Sequence, residues 1–300
     1  MDASKKYLFS GQGFGKQGPY LILDTIISAK KERLQLYIIN KTFTLQRFRD
    51  RYCIGQFSLK TFETLPCPST EKIDQEFDTC PRCRKANGFN PAFYNTSADR
   101  ISPQQLEYNR RPHAVYLAYF GTRVLKVGIA CLDRITQRLL EQGARAATIV
   151  KKCPDAYEAR KIEKEVREIL GVSEWVKTDK KIQLLGQHFS HKDAQKDIDF
   201  LKSNIARELM IEVEDEEIFD FTGSYIKDNQ LNPDMIDLSK ERPQIISGRG
   251  VGIVGDILIM EQGGLQFVTT LKNYLAHVVS ISSFEKENSF TVKPKQLTLF

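Results

Sequence analysis

Four cysteines in the first third of the chain have the residue type and spacing of a metal site. Cys80 and Cys83 belong to the sequence Cys-Pro-Arg-Cys, and all four, beginning with Cys53 and Cys67, fall within thirty-one residues. Two thiolates separated by two residues can bind one tetrahedral zinc ion through a tight turn, and two further thiolates would complete its coordination. We therefore predict a structural zinc site, because four protein ligands leave no position open for a substrate.

Two other interpretations of these cysteines remain open at the level of sequence. Cys80 and Cys83 could form a thioredoxin-like redox pair, although the surrounding residues lack the βαβ pattern of that fold. The four could also be unrelated buried thiols. Six cysteines in 300 residues do not suggest a disulfide scaffold. We expect the other two, Cys131 and Cys153, and the single tryptophan, Trp175, to lie in the core.

A carboxylate on the predicted helix 155–170 is a second candidate for chemistry. Ala159, Ile162 and Val166 form the apolar stripe of this helix, and Glu163 falls on the same side, unlike its acidic neighbours. A carboxylate on an apolar side needs a partner, a metal ion or a binding site. The simpler alternative is a structural layer in which Glu163 forms a salt bridge.

Basic residues are concentrated around these candidates. Residues 100–170 contain fourteen Lys and Arg against eight Asp and Glu, whereas residues 201–240 contain four against ten. Arg134 and Arg138 are four residues apart on the predicted helix 133–142 and therefore share one face. A basic segment beside a candidate site suggests a polyanion such as DNA or RNA as partner, although a solvated helix face explains the charge equally well.

The C-terminal residues form a candidate docking peptide. The chain ends on Gln296, Leu297, Thr298, Leu299 and Phe300. Pro294 disfavours a helix just before them, so an extended peptide is expected, in which the glutamine amide sets the orientation and the last two side chains fill an apolar pocket. The tail resembles the motif by which bacterial replication and repair proteins bind the sliding clamp. A frayed apolar terminus is the alternative.

A weak internal repeat frames the chain. A serine followed by four glycines with the same spacing occurs at residues 10–18 and again at residues 247–255. Each copy contains a GxGxxG string, but β-branched and aromatic residues follow it instead of a helix, so we reject a dinucleotide site. The glycines are instead predicted to mark turns or bulges. Further strands are predicted at residues 34–40, 265–271 and 277–281, and the two ends are predicted to pair.

The middle of the chain is predicted to alternate strands and helices. A hairpin is expected at residues 114–120 and 124–129, followed by the two helices above and a third at residues 192–209. The predicted fold class is α+β, with a β-rich domain from both chain ends, a zinc-binding insert and a hairpin–helix module. The predicted segments are an N-terminal β segment (1–50), the insert (51–112), the module (113–210), a C-terminal β segment (211–290) and the tail (291–300).

The hairpin and its helices resemble the core of the GIY-YIG nuclease superfamily. That core carries two tripeptides on a hairpin, an arginine on the next helix and a metal-binding glutamate on a later helix. Tyr116 of Ala-Val-Tyr matches the tyrosine of the first tripeptide, and Gly128 of Lys-Val-Gly matches the glycine of the second. Arg138 is the first choice for the arginine and Arg134 the second, while Glu163 matches the glutamate.

This resemblance implies a division of roles in phosphodiester cleavage. The tyrosine would help to activate water, the arginine would stabilise phosphate charge, and the glutamate would hold Mg²⁺ or Mn²⁺. Lys126 stands at the position where the superfamily usually has a tyrosine, although some divergent branches also carry a lysine there. This departure from the usual pattern favours a non-catalytic alternative. The candidate catalytic residues are Tyr116, Lys126, Arg134, Arg138 and Glu163.

A longer combination of motifs resembles the DUF2797 family, over roughly residues 10–280. It comprises the early cysteines, the segments 87–95 and 112–118, the Lys-Val-Gly tripeptide and the Glu-Gln-Gly-Ala sequence at residues 141–144. This resemblance implies a fold but no established activity.

Together these features predict a DNA-processing or DNA-repair factor, a metal-dependent endonuclease recruited to the sliding clamp. The alternatives are a non-catalytic nucleic-acid-binding adaptor of the same machinery, and an RNA-directed or purely structural scaffold. No apolar run reaches the ~18 residues of a membrane helix, and the N-terminus lacks a secretory pattern, so a cytoplasmic location without a membrane partner is expected.

Overall fold

The computed structural model describes residues 5–26, 32–74, 76–90, 92–226, 231–283 and 288. These residues form fifteen strands: β1 (Lys6–Gly15), β2 (Gly18–Thr25), β3 (Arg33–Tyr37), β4 (Thr42–Arg51), β5 (Gln56–Phe57), β6 (Thr64–Leu65), β7 (His113–Gly121), β8 (Val124–Cys131), β9 (Ala146–Cys153), β10 (Phe219–Asp220), β11 (Ile236–Asp237), β12 (Ile245–Val254), β13 (Ile257–Gln262), β14 (Leu265–Thr270) and β15 (His277–Ser282).

The same residues form seven α-helices, together with four short 3-10 turns. The helices are α1 (Pro81–Asn87), α2 (Pro103–Asn109), α3 (Ile135–Gln142), α4 (Ala156–Leu170), α5 (Thr178–Leu185), α6 (His191–Leu209) and α7 (Thr222–Tyr225). None of the helices in the described part of the chain is long and apolar enough to cross a membrane.

Both chain ends contribute to one large sheet, as the sequence predicts. Its nine strands run in the order β11-β14-β13-β12-β4-β15-β1-β2-β3. The N-terminal strand β4 lies between the C-terminal strands β12 and β15, and β15 lies between β4 and β1. The two ends are therefore interleaved in a single hydrogen-bonded sheet.

The interleaving follows the internal repeat. Each half contributes four strands, β1–β4 from the N-terminal half and β12–β15 from the C-terminal half. If the short β11 is left out, the order from one edge is β14, β13, β12 and then β4, and from the other edge it is β3, β2, β1 and then β15. The fourth strand of each half therefore pairs with the first strand of the other half. Each copy of the repeated glycine string lies in a bulged strand followed by another strand, so the prediction of bulges is confirmed. Gly11 and Gly248 both have positive φ, and a Cβ at Gly248 would lie 2.4 Å from the carbonyl oxygen of Glu261. These strings lack the following helix that a dinucleotide fingerprint requires.

A second sheet carries two of the candidate catalytic residues, Tyr116 on β7 and Lys126 on β8. Its order is β10-β9-β7-β8, and its pairings are antiparallel. Alternate residues of β7 face opposite sides: Val115 and Leu117 pack in a cluster with residues of α4 and α6, whereas Tyr116 and Ala118 belong to the core shared with α3 and the large sheet. Because both faces of β7 are covered, this central strand is buried along its whole length.

The structure differs from the sequence-based expectations at several points. The strand β9 and the helix α5 were not predicted, since a short apolar run does not reveal its period. The strand β10 belongs to the second sheet although it follows residue 210, where the hairpin–helix module was predicted to end. The other predicted segment boundaries stay predictions. The expectation of a buried Trp175 is wrong, because this side chain is 58% exposed. Cys131 and Cys153 are buried as expected.

Candidate functional site

The four early cysteines converge on one point. The sulfur atoms of Cys53, Cys67, Cys80 and Cys83 all lie within 4.8 Å of one another, and all four residues are buried. Sulfurs bound to one tetrahedral zinc ion at about 2.3 Å lie about 3.8 Å apart. The donor set, its geometry and its enclosure therefore fit a closed four-thiolate metal site, and this is the only such cluster of potential ligands among the described residues.

Backbone amides point at these sulfurs. The amides of Gly55 and Cys80 donate to the Cys53 Sγ at 3.3 and 3.1 Å, and the Cys80 Sγ accepts from the Cys83 amide at the start of α1. Such donors stabilise negative charge on sulfur and orient the ligands. Burial raises the pKa of Cys53 to about 11, whereas at Cys67 burial is outweighed by hydrogen bonds from Ser69 and Glu71, which lower the pKa to about 6. The Cys53 sulfur therefore needs a nearby cation to be a thiolate at neutral pH.

Tyr116 lies at the centre of the second candidate site. It pairs across the hairpin with Gly128, and a Cβ at position 128 would lie 2.5 Å from the tyrosine hydroxyl, so glycine is needed there to leave room for the ring. The Gln142 side chain donates to this hydroxyl at 2.8 Å. Burial raises the pKa of Tyr116, and the nearby Arg138 only partly opposes this. The hydroxyl therefore stays protonated and keeps its own proton to donate.

Lys126 is enclosed beside this tyrosine. Its ammonium lies 5.9 Å from the centre of the Tyr116 ring, and only 9% of the residue is exposed. Burial, followed by repulsion from Arg138 and Lys181, lowers the pKa of Lys126 to about 8, although Glu163 and Glu174 act in the opposite direction. The charge on this lysine therefore changes within one or two units of neutral pH.

Glu163 is 4% exposed, so the sequence correctly indicates that it turns inward. Its partner in the structure is Arg160, with which it forms an ion pair one helical turn away. Arg160 also lies 3.5 Å from Glu174 and donates to the Tyr94 hydroxyl at 3.1 Å. Burial raises the pKa of Glu163 despite this guanidinium. Glu163 therefore forms a salt bridge in the structure, as the simpler of the two interpretations of the sequence expected.

The two candidate arginines do not share one helix as predicted, because Arg134 ends a 3-10 turn just before α3 and only Arg138 lies within α3. Their surroundings also differ. Arg134 forms an ion pair with Glu141 at 2.7 Å, and its guanidinium lies 4.9 Å from the centre of the Phe57 ring in the cysteine segment. Arg138 lies farther from the same glutamate, at 4.0 Å, and 45% of its side chain is exposed. More of the positive charge of Arg138 is therefore accessible to a ligand.

Tyr116, Lys126, Arg138 and Glu163 thus influence one another electrostatically, whereas Arg134 faces the cysteine segment. Besides Arg160, two more residues that the sequence did not single out join this group. Lys181 on α5 donates to the Gln142 carbonyl at 2.7 Å, and Glu174 contacts Arg160 from the loop after α4. Neither belongs to a recognisable motif, so only the folded arrangement identifies them.

The described chain is an α+β protein that combines a four-cysteine cluster with a compact group of tyrosine, lysine, arginine and glutamate on a hairpin and its helices. A family model described as "Protein of unknown function (DUF2797)" matches residues 89–279, and the chain belongs to this family. The match includes the hairpin and the C-terminal strands but begins after Cys83. It therefore confirms the expected resemblance over a shorter range. No curated protein and no solved structure matches the chain.

The remaining candidate site is the C-terminal tail. Gln296, Leu297, Thr298, Leu299 and Phe300 lie outside the described residues. The docking peptide stays a prediction from the sequence.

Proposed function

We propose that this protein acts on DNA as a metal-dependent endonuclease. The observation that carries the proposal is the meeting of a tyrosine hydroxyl, an ammonium, a guanidinium and a carboxylate beside one hairpin. Arg138 and Lys126 would neutralise phosphate charge, and the Tyr116 hydroxyl would hydrogen-bond to the attacking water. This assignment agrees with the resemblance of the hairpin and its helices to the GIY-YIG core.

Glu163 would hold Mg²⁺ or Mn²⁺, which in such sites polarises the phosphate and lowers the pKa of bound water. Its oxygens fit a hard divalent cation, and its burial leaves it poorly solvated without a cationic partner. Arg160 occupies that role in the described arrangement, so binding of the ion requires this guanidinium to turn away. Glu174 lies 3.5 Å from Arg160 and would form the ion pair with this guanidinium once it leaves Glu163.

A non-catalytic DNA-binding adaptor is the second candidate function. The Glu163–Arg160 ion pair favours it, because a carboxylate that is already neutralised can serve structure alone. The replacement of the usual tyrosine by Lys126 favours it as well. In this case the same basic surface binds phosphates without cleaving them.

We propose in addition that the four cysteines bind a structural zinc ion. A redox pair needs only two sulfurs, whereas four converge here, and a closed set of four thiolates leaves no position for substrate. The metal would fix the segment that contributes Phe57 to the surroundings of Arg134.

A panel of DNA substrates tests the proposed function. The protein is incubated with flapped, branched, single-stranded and double-stranded DNA in the presence of Mg²⁺ or Mn²⁺. Cleavage of any substrate supports the endonuclease. Binding of DNA without cleavage under any condition selects the adaptor, and the lack of both binding and cleavage rejects both candidates.

The pKa of Lys126 gives a prediction for the pH dependence of binding. The lysine is charged below its pKa of about 8 and neutral above it. We therefore expect the affinity for DNA to fall between pH 7 and pH 9, since a neutral amine no longer attracts phosphate. Arginine stays charged throughout this range, so Lys126→Arg should flatten the profile measured by fluorescence anisotropy.

The matched control is Lys240→Arg, since the Lys240 side chain is 81% exposed and lies outside the site. This variant should keep the pH dependence of the native protein. An affinity that does not change with pH, or that falls equally in Lys126→Arg, would exclude a contact between this ammonium and phosphate.

We also propose that residues 296–300 bind the sliding clamp. Removal of these five residues should abolish clamp binding in a calorimetric titration, because Leu299 and Phe300 would supply the buried apolar anchors of so short an interface. The thermal unfolding temperature should stay unchanged. Thr298→Ala serves as the control, since the clamp-binding motif that the tail resembles has a small or acidic residue between its two leucines. A truncated chain that still binds the clamp, or that unfolds at a lower temperature, contradicts the proposal.

A further inference from the structure

A cleft of about 400 Å³ lies where the cysteine segment meets the hairpin–helix unit. Phe57 and Asn87 line it from the cysteine segment, and Tyr108, His113 and Arg138 line it from α2, the hairpin and α3. This volume is within the usual range of small-molecule sites. The cleft shares Arg138 with the proposed catalytic group, so the two adjoin each other.

The apolar part of the cleft is largely aromatic. Phe57, Phe89, Phe93 and Tyr108 all line it. Phe93 is buried and is held edge-on by the rings of Tyr94 and Tyr157, whereas 51% of Phe89 is exposed. The exposed ring of Phe89 and the buried ring of Phe93 thus both line the cleft, and such aromatic rings offer flat surfaces for stacking.

Two polar side chains of the cleft have a defined hydrogen-bonding capacity. The His113 Nδ1 lies 2.8 Å from the Arg111 carbonyl oxygen, which can only accept, so Nδ1 carries the proton and Nε2 is an acceptor. Burial lowers the pKa of His113 and keeps the ring neutral at pH 7. The Asn87 Oδ1 accepts from the Phe57 amide at 2.6 Å, which leaves the amide nitrogen of Asn87 to donate. One acceptor and one donor beside aromatic walls suit the edge of a nucleobase.

The charge of the cleft suits the remainder of a nucleotide. Arg134 and Arg138 both line it, and Glu141 is the acidic residue paired with them. One positive charge therefore remains in excess, and it resides mainly on the more exposed Arg138. A phosphate attached to a nucleoside in the cleft would meet this guanidinium.

We propose that the cleft binds a single unstacked nucleobase of a DNA strand and that Arg138 binds the adjacent phosphate. This inference rests on the proposed function, since it assumes that DNA reaches the surface around Arg138. The base would be sandwiched against Phe89 and would hydrogen-bond to His113 and Asn87. A strand held in this way presents its neighbouring phosphodiester to the group around Lys126 and Glu163. The protein would then prefer bulged, flapped or otherwise unpaired positions over regular duplex.

A duplex with one extrahelical nucleotide tests this proposal, because it offers a single unstacked base. Two duplexes are compared with the full-length protein: one has 2-aminopurine in the bulge, and the other has an abasic nucleotide there. We expect the abasic bulge to bind about tenfold more weakly, since stacking of one base on aromatic side chains has an effect of this order. The 2-aminopurine emission should fall on binding as the base stacks.

Phe89→Ala should remove this discrimination. The variant is expected to bind the 2-aminopurine bulge about tenfold more weakly than the native protein, and to bind the abasic bulge with native affinity. Phe89→Trp should restore both the affinity and the fall in emission. Phe200→Ala is the matched control, because Phe200 is an exposed phenylalanine on α6, 70% exposed, and does not line the cleft.

The outcomes separate this inference from the proposed function. If both bulged duplexes bind equally well, or if Phe89→Ala weakens both equally, the cleft does not bind a base, while DNA binding as such stands. If neither bulged duplex nor any DNA of the panel binds, the proposed function fails and this inference fails with it. Unchanged thermal unfolding of Phe89→Ala shows that a loss of affinity does not arise from misfolding.

Discussion

Replacing Cys80 with serine is expected to abolish the proposed zinc binding and to unfold the segment around the four cysteines, while the nine-stranded and four-stranded sheets stay folded. Cys80 supplies a sulfur to the cluster, its amide donates to the Cys53 sulfur, and its Sγ accepts from the first turn of α1. The segment has only two-residue strands and short helices, so little apolar core supports it without the metal. Binding free energies of structural zinc are on the order of 10 kcal/mol, and here they would be folding free energy.

Metal analysis and limited proteolysis measure this effect. Native protein should contain one zinc ion per chain, and Cys80→Ser should contain none and be cut by trypsin within residues 53–88. The matched control is Cys153→Ala, which removes another buried thiol outside the cluster and should keep both the metal and the resistance to trypsin. A native protein without zinc, or a Cys80→Ser variant that retains it, would contradict the assignment.

The same variant also bears on the base-binding cleft. Phe57 and Asn87, which line the cleft, belong to the segment that the metal would hold. Loss of zinc should therefore abolish the discrimination between the 2-aminopurine and abasic bulges.

Glu163→Gln should reduce DNA cleavage by more than about a hundredfold while leaving the affinity for DNA within about threefold of the native value. The amide has the shape of the carboxylate but no charge, so it cannot hold a divalent ion that stabilises the transition state. It can still accept a hydrogen bond from Arg160, which should preserve the fold. The raised pKa of Glu163 has a related consequence: cleavage should also be lost as the pH falls and this carboxylate takes up a proton.

Initial rates of cleavage and equilibrium affinities separate the two effects. Glu168→Gln is the matched control, because Glu168 lies on the same helix with 55% of its side chain exposed and should not affect either quantity. Native-like cleavage by Glu163→Gln would show that this residue only pairs with Arg160. A native protein that binds DNA but never cleaves it would leave the adaptor as the function.

Sequence alone determined the features that depend on local spacing. The Cys-Pro-Arg-Cys turn and its two preceding cysteines indicated one four-thiolate cluster, because ligand type and spacing restrict where the sulfurs can go. The periodicity of residues 155–170 predicted α4 within one residue of its observed bounds and placed Glu163 on the buried side. The glycine string that is repeated near both chain ends led to the correct prediction that the two ends form one sheet.

Which groups lie close together in the site depends on how separate elements pack, and the sequence does not reveal this. The sequence predicted Arg134 and Arg138 on one helical face and therefore treated them alike. In the structure Arg134 ends the turn before α3 and lies near Phe57 from a distant segment, whereas Arg138 lies within α3 and is more exposed. The position of Glu163 in the helix indicated that this carboxylate needs a partner, but the sequence did not show that the partner is Arg160. It also did not show that Lys181 and Glu174 lie near enough to Lys126 to influence its charge. Patterns in the sequence reflect the periodicity of a helix or strand and the burial of one of its faces. Contacts between side chains from distant segments depend instead on how separate elements pack into a common core. For the same reason the sequence could offer Phe93 and Tyr108 as aromatic residues near basic ones, but it could not show that Phe57 and Asn87 meet them in one cleft.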